Sequence, residues 1–338
     1  MLSVSSGDGS MPPSNKLQRI RKGILGWYGA NRRPFPWRET RDPYRILLSE
    51  IMLQQTQADR VSVLYPKFLS KYPTVEELCD TSRAEVVRAW KGLGYNNRAV
   101  RLHAAVREIR TGYNCRVPDD IDDLDSLPGV GKYTACAVAC FAFGRKTPLV
   151  DVNVRRVLSR IFRKMTGRYE VLDDATVWKM AGRILPRDAY TWNQALMEFG
   201  TLVCTARNPA CGECPVRTSC PSLATLRSSP AGKKSRTAGP VPQRERGRAS
   251  ATQRGRGRRP AGEPAHFGVP RRIWRGRVVE HLRGTGRSVT LGRLARALRP
   301  DGRNGSNRWL DDVVEGLERD GVVQIRRGGS RTSVALAP

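Results

Sequence analysis

Four cysteines, Cys204, Cys211, Cys214 and Cys220, fall within seventeen residues in the spacing C-x6-C-x2-C-x5-C. A stretch of that kind has to fold back on itself so that four sulfur atoms meet. In a reducing compartment, clustered thiols hold a metal centre more often than they pair as disulfides. Thiolates at this spacing can close around zinc or around an iron–sulfur cluster, and the spacing alone does not choose. The remaining cysteines, Cys79, Cys115, Cys136 and Cys140, are scattered through segments with helical patterning.

From Leu17 to Leu226 the apolar residues recur three or four apart, segment after segment: IRKGILGWYG, RILLSEIMLQQTQADRVSVLYPKFL, AEVVRAWKGLG, RAVRLHAAVREIR, YTACAVACFAFG, VRRVLSRIFRKM and WNQALMEFGTLV. Pro43, Pro73, Gly92 to Gly94, Pro118 and Pro148 punctuate them. With no alternating strand pattern, residues 17–226 are expected to form an all-α domain. Residues 1–16 lack a basic start followed by an apolar block, so they read as a disordered tail and not a signal peptide. Arg227 to Arg272 hold thirteen basic and two acidic side chains with almost no large apolar residue, which predicts a disordered basic linker over 227–271. Residues 272–338 regain periodicity: RRIWRGRVVEHLR, TLGRLARAL and NRWLDDVVEGLERDG read as helices, and VVQIRRGGSRTSVALA as two strands around a Gly-Gly turn. Three helices closed by a hairpin resemble a winged-helix module, a kind that binds DNA or mediates protein contacts.

Charge narrows the partner. The 338 residues carry 60 Lys+Arg against 31 Asp+Glu, a net +29. Such an excess gains affinity by displacing counterions from a phosphate backbone, so a polyanion is the expected partner. No run approaches the ~18 apolar residues of a membrane span, and an intracellular protein is expected.

The most specific local pattern in the helical part is Leu127-Pro128-Gly129-Val130-Gly131-Lys132-Tyr133. Two glycines between short helices allow a tight hairpin, and the helix that follows turns backbone N–H groups and the positive end of its dipole outward, which suits a phosphate. Lys132 adds a point charge. The pattern resembles a helix-hairpin-helix motif, which grips DNA without regard to sequence; the plain alternative is an interhelical turn. Asp151 follows Tyr133 by eighteen residues, ahead of a helix, where an aspartate ordinarily serves as an N-cap.

The order Pro36-Trp37-Arg38, Leu48-Ser49-Glu50-Ile51-Met52-Leu53-Gln54-Gln55-Thr56, Trp90-Lys91-Gly92-Leu93-Gly94-Tyr95, the hairpin, Asp151 and the four cysteines resembles the MutY-type adenine glycosylases of the helix-hairpin-helix, endonuclease III superfamily. The likeness runs from about Leu17 to Leu226. It implies a six-helix barrel with an iron–sulfur helical domain, a [4Fe-4S] cluster on Cys204, Cys211, Cys214 and Cys220, and a monomer acting on double-stranded DNA that holds a mismatch or oxidised guanine, in the nucleoid-containing cytoplasm. By the same resemblance, Glu50 protonates the adenine ring nitrogen, which requires a pKa raised by its apolar setting. Asp151 stays ionised beside the oxocarbenium-like sugar, and Tyr133 and Asn153 support it by hydrogen bonding. Gln54 and Gln55 fill the gap or contact the orphaned base, and Arg33, Trp37 and Glu198 line the adenine pocket, with Trp37 equally readable as a core aromatic. Bifunctional relatives carry a lysine where Tyr133 stands; Lys132, one residue earlier, lies ~100° away around the helix. The expected enzyme therefore leaves an abasic site without cutting the strand.

Two departures matter. Asn96 stands where many members have a second tyrosine used as a wedge, and the basic linker and winged-helix-like module stand in place of a Nudix-like domain. Thymine or uracil glycosylases acting opposite guanine share GVGKYT and the aspartate, which keeps that activity open. A non-catalytic DNA-binding protein is the other alternative, against which the joint presence of Glu50, Tyr133 and Asp151 counts.

Overall fold

The computed structural model describes residues 14–162, 172–224, 264–299, 307–328 and 331–338. Most of the expected tail and linker, residues 1–13 and 225–263, lies outside them. Among the described residues up to 224 there are helices and no strand, as the periodicity requires. These are α1 (Ser14–Asn31), α2 (Pro43–Leu53), α3 (Ala58–Lys71), α4 (Val75–Asp80), α5 (Arg83–Ala89), α6 (Asn97–Tyr113), α7 (Ile121–Ser126), α8 (Lys132–Phe141), α9 (Val152–Phe162), α10 (Asp174–Arg183) and α11 (Ala189–Leu202), with a 3-10 turn at Pro36–Arg38. No described helix is long and apolar enough to cross a membrane.

The chain divides into two units, each built from two stretches of sequence: Met1–Arg41 with Lys132–Val241, and Asp42–Gly131 with Pro242–Pro338. In the first, α11 packs against α1, α8 and α9, and α10 against α9. Leu17, Ile20, Ile24 and Tyr28 form the buried stripe of α1. In the second, which holds the six helices α2 to α7, α6 touches α2, α4 and α5. Helix starts are written in the sequence as side-chain caps. Asp42 accepts from the Arg45 N–H ahead of Pro43, and Thr74, Ser82 and Asp120 cap α4, α5 and α7 in the same way.

The long apolar run from Arg45 to Leu69 is not one helix. It breaks at Gln54, where Gln55 takes a left-handed φ of 55°. The guanidinium of Arg98 collects the carbonyls of Ile51 (3.0 Å), Met52 (2.8 Å) and Gln54, the oxygens a helix end leaves without partners.

The C-terminal module comprises a hairpin, β1 (Ala265–His266) and β2 (Val269–Pro270), then α12 (Arg271–Thr285), β3 (Val289–Thr290), α13 (Leu291–Leu298), α14 (Arg308–Arg319), β4 (Val323–Gly328) and β5 (Arg331–Leu336). β5 lies between β3 and β4, antiparallel to both, with Ile325 opposite Val334. This is the winged-helix-like arrangement expected. Its described residues begin at 264, inside the stretch whose composition suggests linker. There Phe267 packs on Trp274 and Trp309, and the Trp274 indole donates to the His266 carbonyl at 2.9 Å. Phe267 anchors the hairpin on two tryptophans, a long-range contact that averaged composition hides.

Candidate functional site

In the second unit, α2 is buried on nearly all sides. Ile46, Leu47, Leu48, Ile51 and Met52 are at most 2% exposed, and Glu50, set among them, is 7% exposed. At the C-terminal end of α2 three turns are knit together. Arg98, itself 5% exposed, spans from the end of α2 to the carbonyls of Leu93 (3.1 Å) and Gly94 (3.2 Å). Burial pushes its guanidinium down to about 10, still cationic at neutral pH. Gln54 Nε2 donates to the Gly129 carbonyl at 3.1 Å, joining the α2 turn to the hairpin. These turns hold Gln55, Gly92, Gly94, Tyr95 and Gly129, all with positive φ. Gly129 is required twice over: its φ is +81°, and a Cβ there would lie 2.7 Å from that of Arg101. Gly131 has open space around it and no such φ, so only the first glycine of the motif shapes the turn. Gln55 is exposed and Tyr95 is 49% exposed, so the turns present side chains outward.

In the first unit, Asp151 caps α9. It accepts from the backbone N–H of Asn153 (2.9 Å) and Val154 (2.7 Å) and from Asn153 Nδ2 (2.8 Å). Asn153 Oδ1 in turn accepts from Arg156, whose guanidinium also donates to the carbonyls of Gly200 (2.6 Å) and Cys204 (2.8 Å). The capping role is thus real, and it holds the carboxylate in a fixed pose. Gly200 makes this possible, because a Cβ there would lie 2.8 Å from the Asn153 Cβ. Tyr133, half-buried on α8, donates its hydroxyl to Met197 Sδ at 3.1 Å. Lys132 is exposed, its ammonium 4.4 Å from the centre of the Trp178 ring.

Glu198 is buried between two arginines: Arg33 Nε donates at 2.6 Å and Arg38 Nη2 at 2.9 Å. Burial alone would raise its pKa, but the two guanidiniums outweigh that and hold the carboxyl below its ordinary value. Trp37, buried, stacks on Phe35 with ring centres 4.8 Å apart. Arg33, Arg38 and Glu198 therefore share one cluster, while Trp37 packs as a core aromatic does.

Cys204, Cys211, Cys214 and Cys220 line one otherwise apolar cavity with Ile161, Phe199 and Leu223. Burial pushes the Cys214 thiol up to about 11 and raises Cys220, with the neighbouring thiols adding to both. Four mutually repelling thiolates need a cationic centre to be held together. Arg160 donates to the carbonyls of Thr205 (2.7 Å) and Ala206 (3.0 Å) and lies 3.4 Å from Cys204 Sγ. Among the described residues, no three His, Cys, Asp or Glu side chains converge as ligands of a single ion do. The four cysteines nonetheless line the same cavity. The donor set fits, and a cluster there would tie the loop to α9 and α11.

Arg98, Arg156 and Arg160 do structural work that motif reading overlooked. Their signal was available: Arg98 shares the buried stripe of α6 with Leu102, Ala105 and Ile109, and a guanidinium on an apolar face must have acceptors waiting for it.

A family model described as HhH-GPD superfamily base excision DNA repair protein matches residues 48–180, and one described as the iron-sulfur binding domain of endonuclease III matches residues 204–220. An adenine DNA glycosylase of Mycobacterium tuberculosis (strain CDC 1551 / Oshkosh) is 47% identical over 199 residues, 57% of this chain and 64% of that protein. A thymine/uracil-DNA glycosylase of Methanothermobacter thermautotrophicus is 40% identical over 215 residues, 61% of this chain and 95% of that protein. The solved structure of a thermostable thymine-DNA glycosylase matches with a TM-score of 0.59 at 37% identity, over 62% of this chain and 98% of that one. The chain thus spans less than two thirds of the mycobacterial relative. The expected fold is borne out, and residues 204–220 are an endonuclease III-type iron–sulfur loop for a [4Fe-4S] cluster.

Proposed function

Because the chain belongs to the HhH-GPD superfamily of base excision DNA repair proteins, we propose that it is a monofunctional DNA glycosylase removing adenine paired with guanine or 8-oxoguanine. The observation that carries this reading is a carboxyl group buried in an apolar helix, Glu50 on α2, a helix that ends in a turn presenting Gln55 outward. A DNA-binding protein needs no acid in such a place. A target base inside a duplex must first be swung out of the stack.

Cleavage of the bond between adenine and deoxyribose leaves negative charge on the purine and positive charge on the sugar. Glu50 gives its proton to a ring nitrogen, so adenine departs neutral. An acid must keep its proton until then, and seclusion from water supports that. Asp151 faces the developing cation; its three hydrogen bonds, two from backbone N–H groups, keep the carboxylate oriented without reorganisation as charge develops. Asn153 transmits that order to Arg156 and α11. Water then adds to the sugar carbon and gives up a proton to the Glu50 carboxylate, leaving an abasic site. Tyr133 has no amine with which to form a Schiff base, so the strand stays intact. A cluster on Cys204, Cys211, Cys214 and Cys220 would supply no step; it would hold the loop that Arg156 and Arg160 grip. The partner is double-stranded DNA with a mismatch or oxidised guanine, met by a monomer in the nucleoid.

A second reading has its own support. The Methanothermobacter thermautotrophicus relative, matched over 95% of its length, is a thymine/uracil-DNA glycosylase. One experiment separates the two: duplexes holding a single A opposite G or 8-oxoguanine, or a single T or U opposite G, are incubated with the protein and treated with alkali. Breakage at adenine is expected. Breakage at pyrimidines alone overturns the adenine assignment, and intact strands throughout favour the non-catalytic binder.

A further inference from the structure

The turn between α5 and α6, which carries the exposed Tyr95, is gripped from two sides. From within, Arg98 holds the carbonyls of Leu93 and Gly94, and the Trp90 indole donates to Gly94 at 3.1 Å. From the other side comes the C-terminal module. Arg283 of α12, its side chain only 9% exposed, donates to the Val87 carbonyl through Nε (3.0 Å) and Nη2 (2.7 Å), and through Nη2 to Asn96 Oδ1 (2.7 Å). Glu280, one turn earlier, pairs with Lys91 at 2.9 Å and with Arg283 at 3.2 Å. At the module's other contact Gly321, with φ +67°, comes so close that a Cβ would lie 3.3 Å from Val100 Cγ1 and 3.4 Å from an Arg83 nitrogen. The module thus touches α5 and α6 on both flanks of the turn.

A guanidinium withdrawn from water recovers its desolvation cost only through its acceptors. Moving Asn96 or the end of α5 would strand Arg283, so turn and module shift together. Asn96 is 8% exposed and already bonded, hence not free to enter a duplex; Tyr95 is the side chain left at the tip. In the module, α14 carries Asp311, Asp312, Glu315 and Glu318 against Arg308 and Arg319, so that helix is net negative.

We infer that the C-terminal module is a built-in brace for the duplex-contacting turn, and that Arg283 is a positioning residue which fixes how Tyr95 meets double-stranded DNA. The inference rests on the reading of the chain as a duplex-acting glycosylase.

The test uses the full chain with Arg283→Ala, Arg283→Met, Tyr95→Ala and the double variant Tyr95→Ala/Arg283→Ala, on the A·G duplex. Thermal melts identify the variants that remain folded; Arg283→Met keeps the apolar stem should Arg283→Ala unfold. The brace predicts roughly a tenfold rise in Kd and KM for either Arg283 variant with the single-turnover rate at saturation unchanged. It also predicts no further loss when Arg283→Ala is added to Tyr95→Ala. Multiplying losses in the double variant, or folded Arg283 variants that bind as the parent does, overturn the brace. If the parent excises bases while those variants match it, only this inference falls. If the parent neither binds nor cleaves, the functional reading falls and takes the brace with it.

Discussion

Replacing Gly200 with alanine sets two known effects against each other. In a helix interior Gly→Ala ordinarily stabilises by ~1 kcal/mol through backbone entropy and propensity. At Gly200 of α11 the new methyl would lie 2.8 Å from Asn153 Cβ, 3.1 Å from its carbonyl oxygen and 3.2 Å from its carbonyl carbon. Two of those neighbours are backbone, so no rotamer change relieves the contact, and α9 must move away by several tenths of an ångström. Overpacking of this kind costs ~2–3 kcal/mol, leaving a net loss of about 1–2 kcal/mol. On a chain of 338 residues unfolding as one unit that lowers Tm by roughly 1–3 °C. Gly26 in α1, with nothing within 4 Å of its would-be Cβ, is the matched control and should gain stability on the same change. Asn153 bonds the Asp151 carboxylate, so the shift also misplaces the charge proposed to face the sugar, and misplacement of that order costs up to ~100-fold in rate. Thermal melting and single-turnover adenine release measure the two consequences. A Gly200→Ala protein as stable as the Gly26→Ala protein, with unchanged base release, would refute the argument.

Glu198→Gln leaves Arg33 and Arg38 without a counter-charge. A loss of about 3 kcal/mol in urea unfolding is expected, at the low end for a broken buried pair because Arg33 is partly exposed. With its folded pKa held below the ordinary 4.5, Glu198 contributes its full stabilisation above that value and loses it as pH falls through the folded one. The acid limb of the stability profile should therefore flatten in Glu198→Gln; an unchanged limb excludes the cluster as its source. Arg98→Leu strands the carbonyls that end α2 and shape the Leu93–Gly94 turn, at a cost of ~3–5 kcal/mol. Urea midpoints check this, and a loss under 1 kcal/mol would show that water replaces the guanidinium. Purified protein should be brown and carry iron with acid-labile sulfide, both lost in Cys214→Ser; stoichiometric zinc in colourless protein would contradict the cluster.

Much of the fold follows from local chemistry on the surface of the sequence. The caps Asp42, Thr74, Ser82 and Asp120, the buried stripe of α1 and the Gly129 turn are each determined by a few adjacent residues, so periodicity and turn signals find them. What stayed hidden depends on distant partners. Nothing near Gln54 announces that Arg98, 44 residues on, ends α2. Nothing near Asn96 announces Arg283, 187 residues away. The division of the chain is equally non-local, since each unit is assembled from two separated stretches. The candidate site was legible as a set of residue types; the arginines that hold those residues in place were not, because a charge on an apolar face gains its meaning only from the carbonyls that meet it.

The most direct measurement compares Glu50→Gln, Asp151→Asn and the parent protein on one duplex with A opposite 8-oxoguanine, following adenine release under single turnover and duplex binding in parallel. Both variants should bind within a few-fold of the parent and release base at least a thousandfold more slowly. Release at the parental rate by either variant would contradict the assignment of proton donor and sugar-stabilising carboxylate.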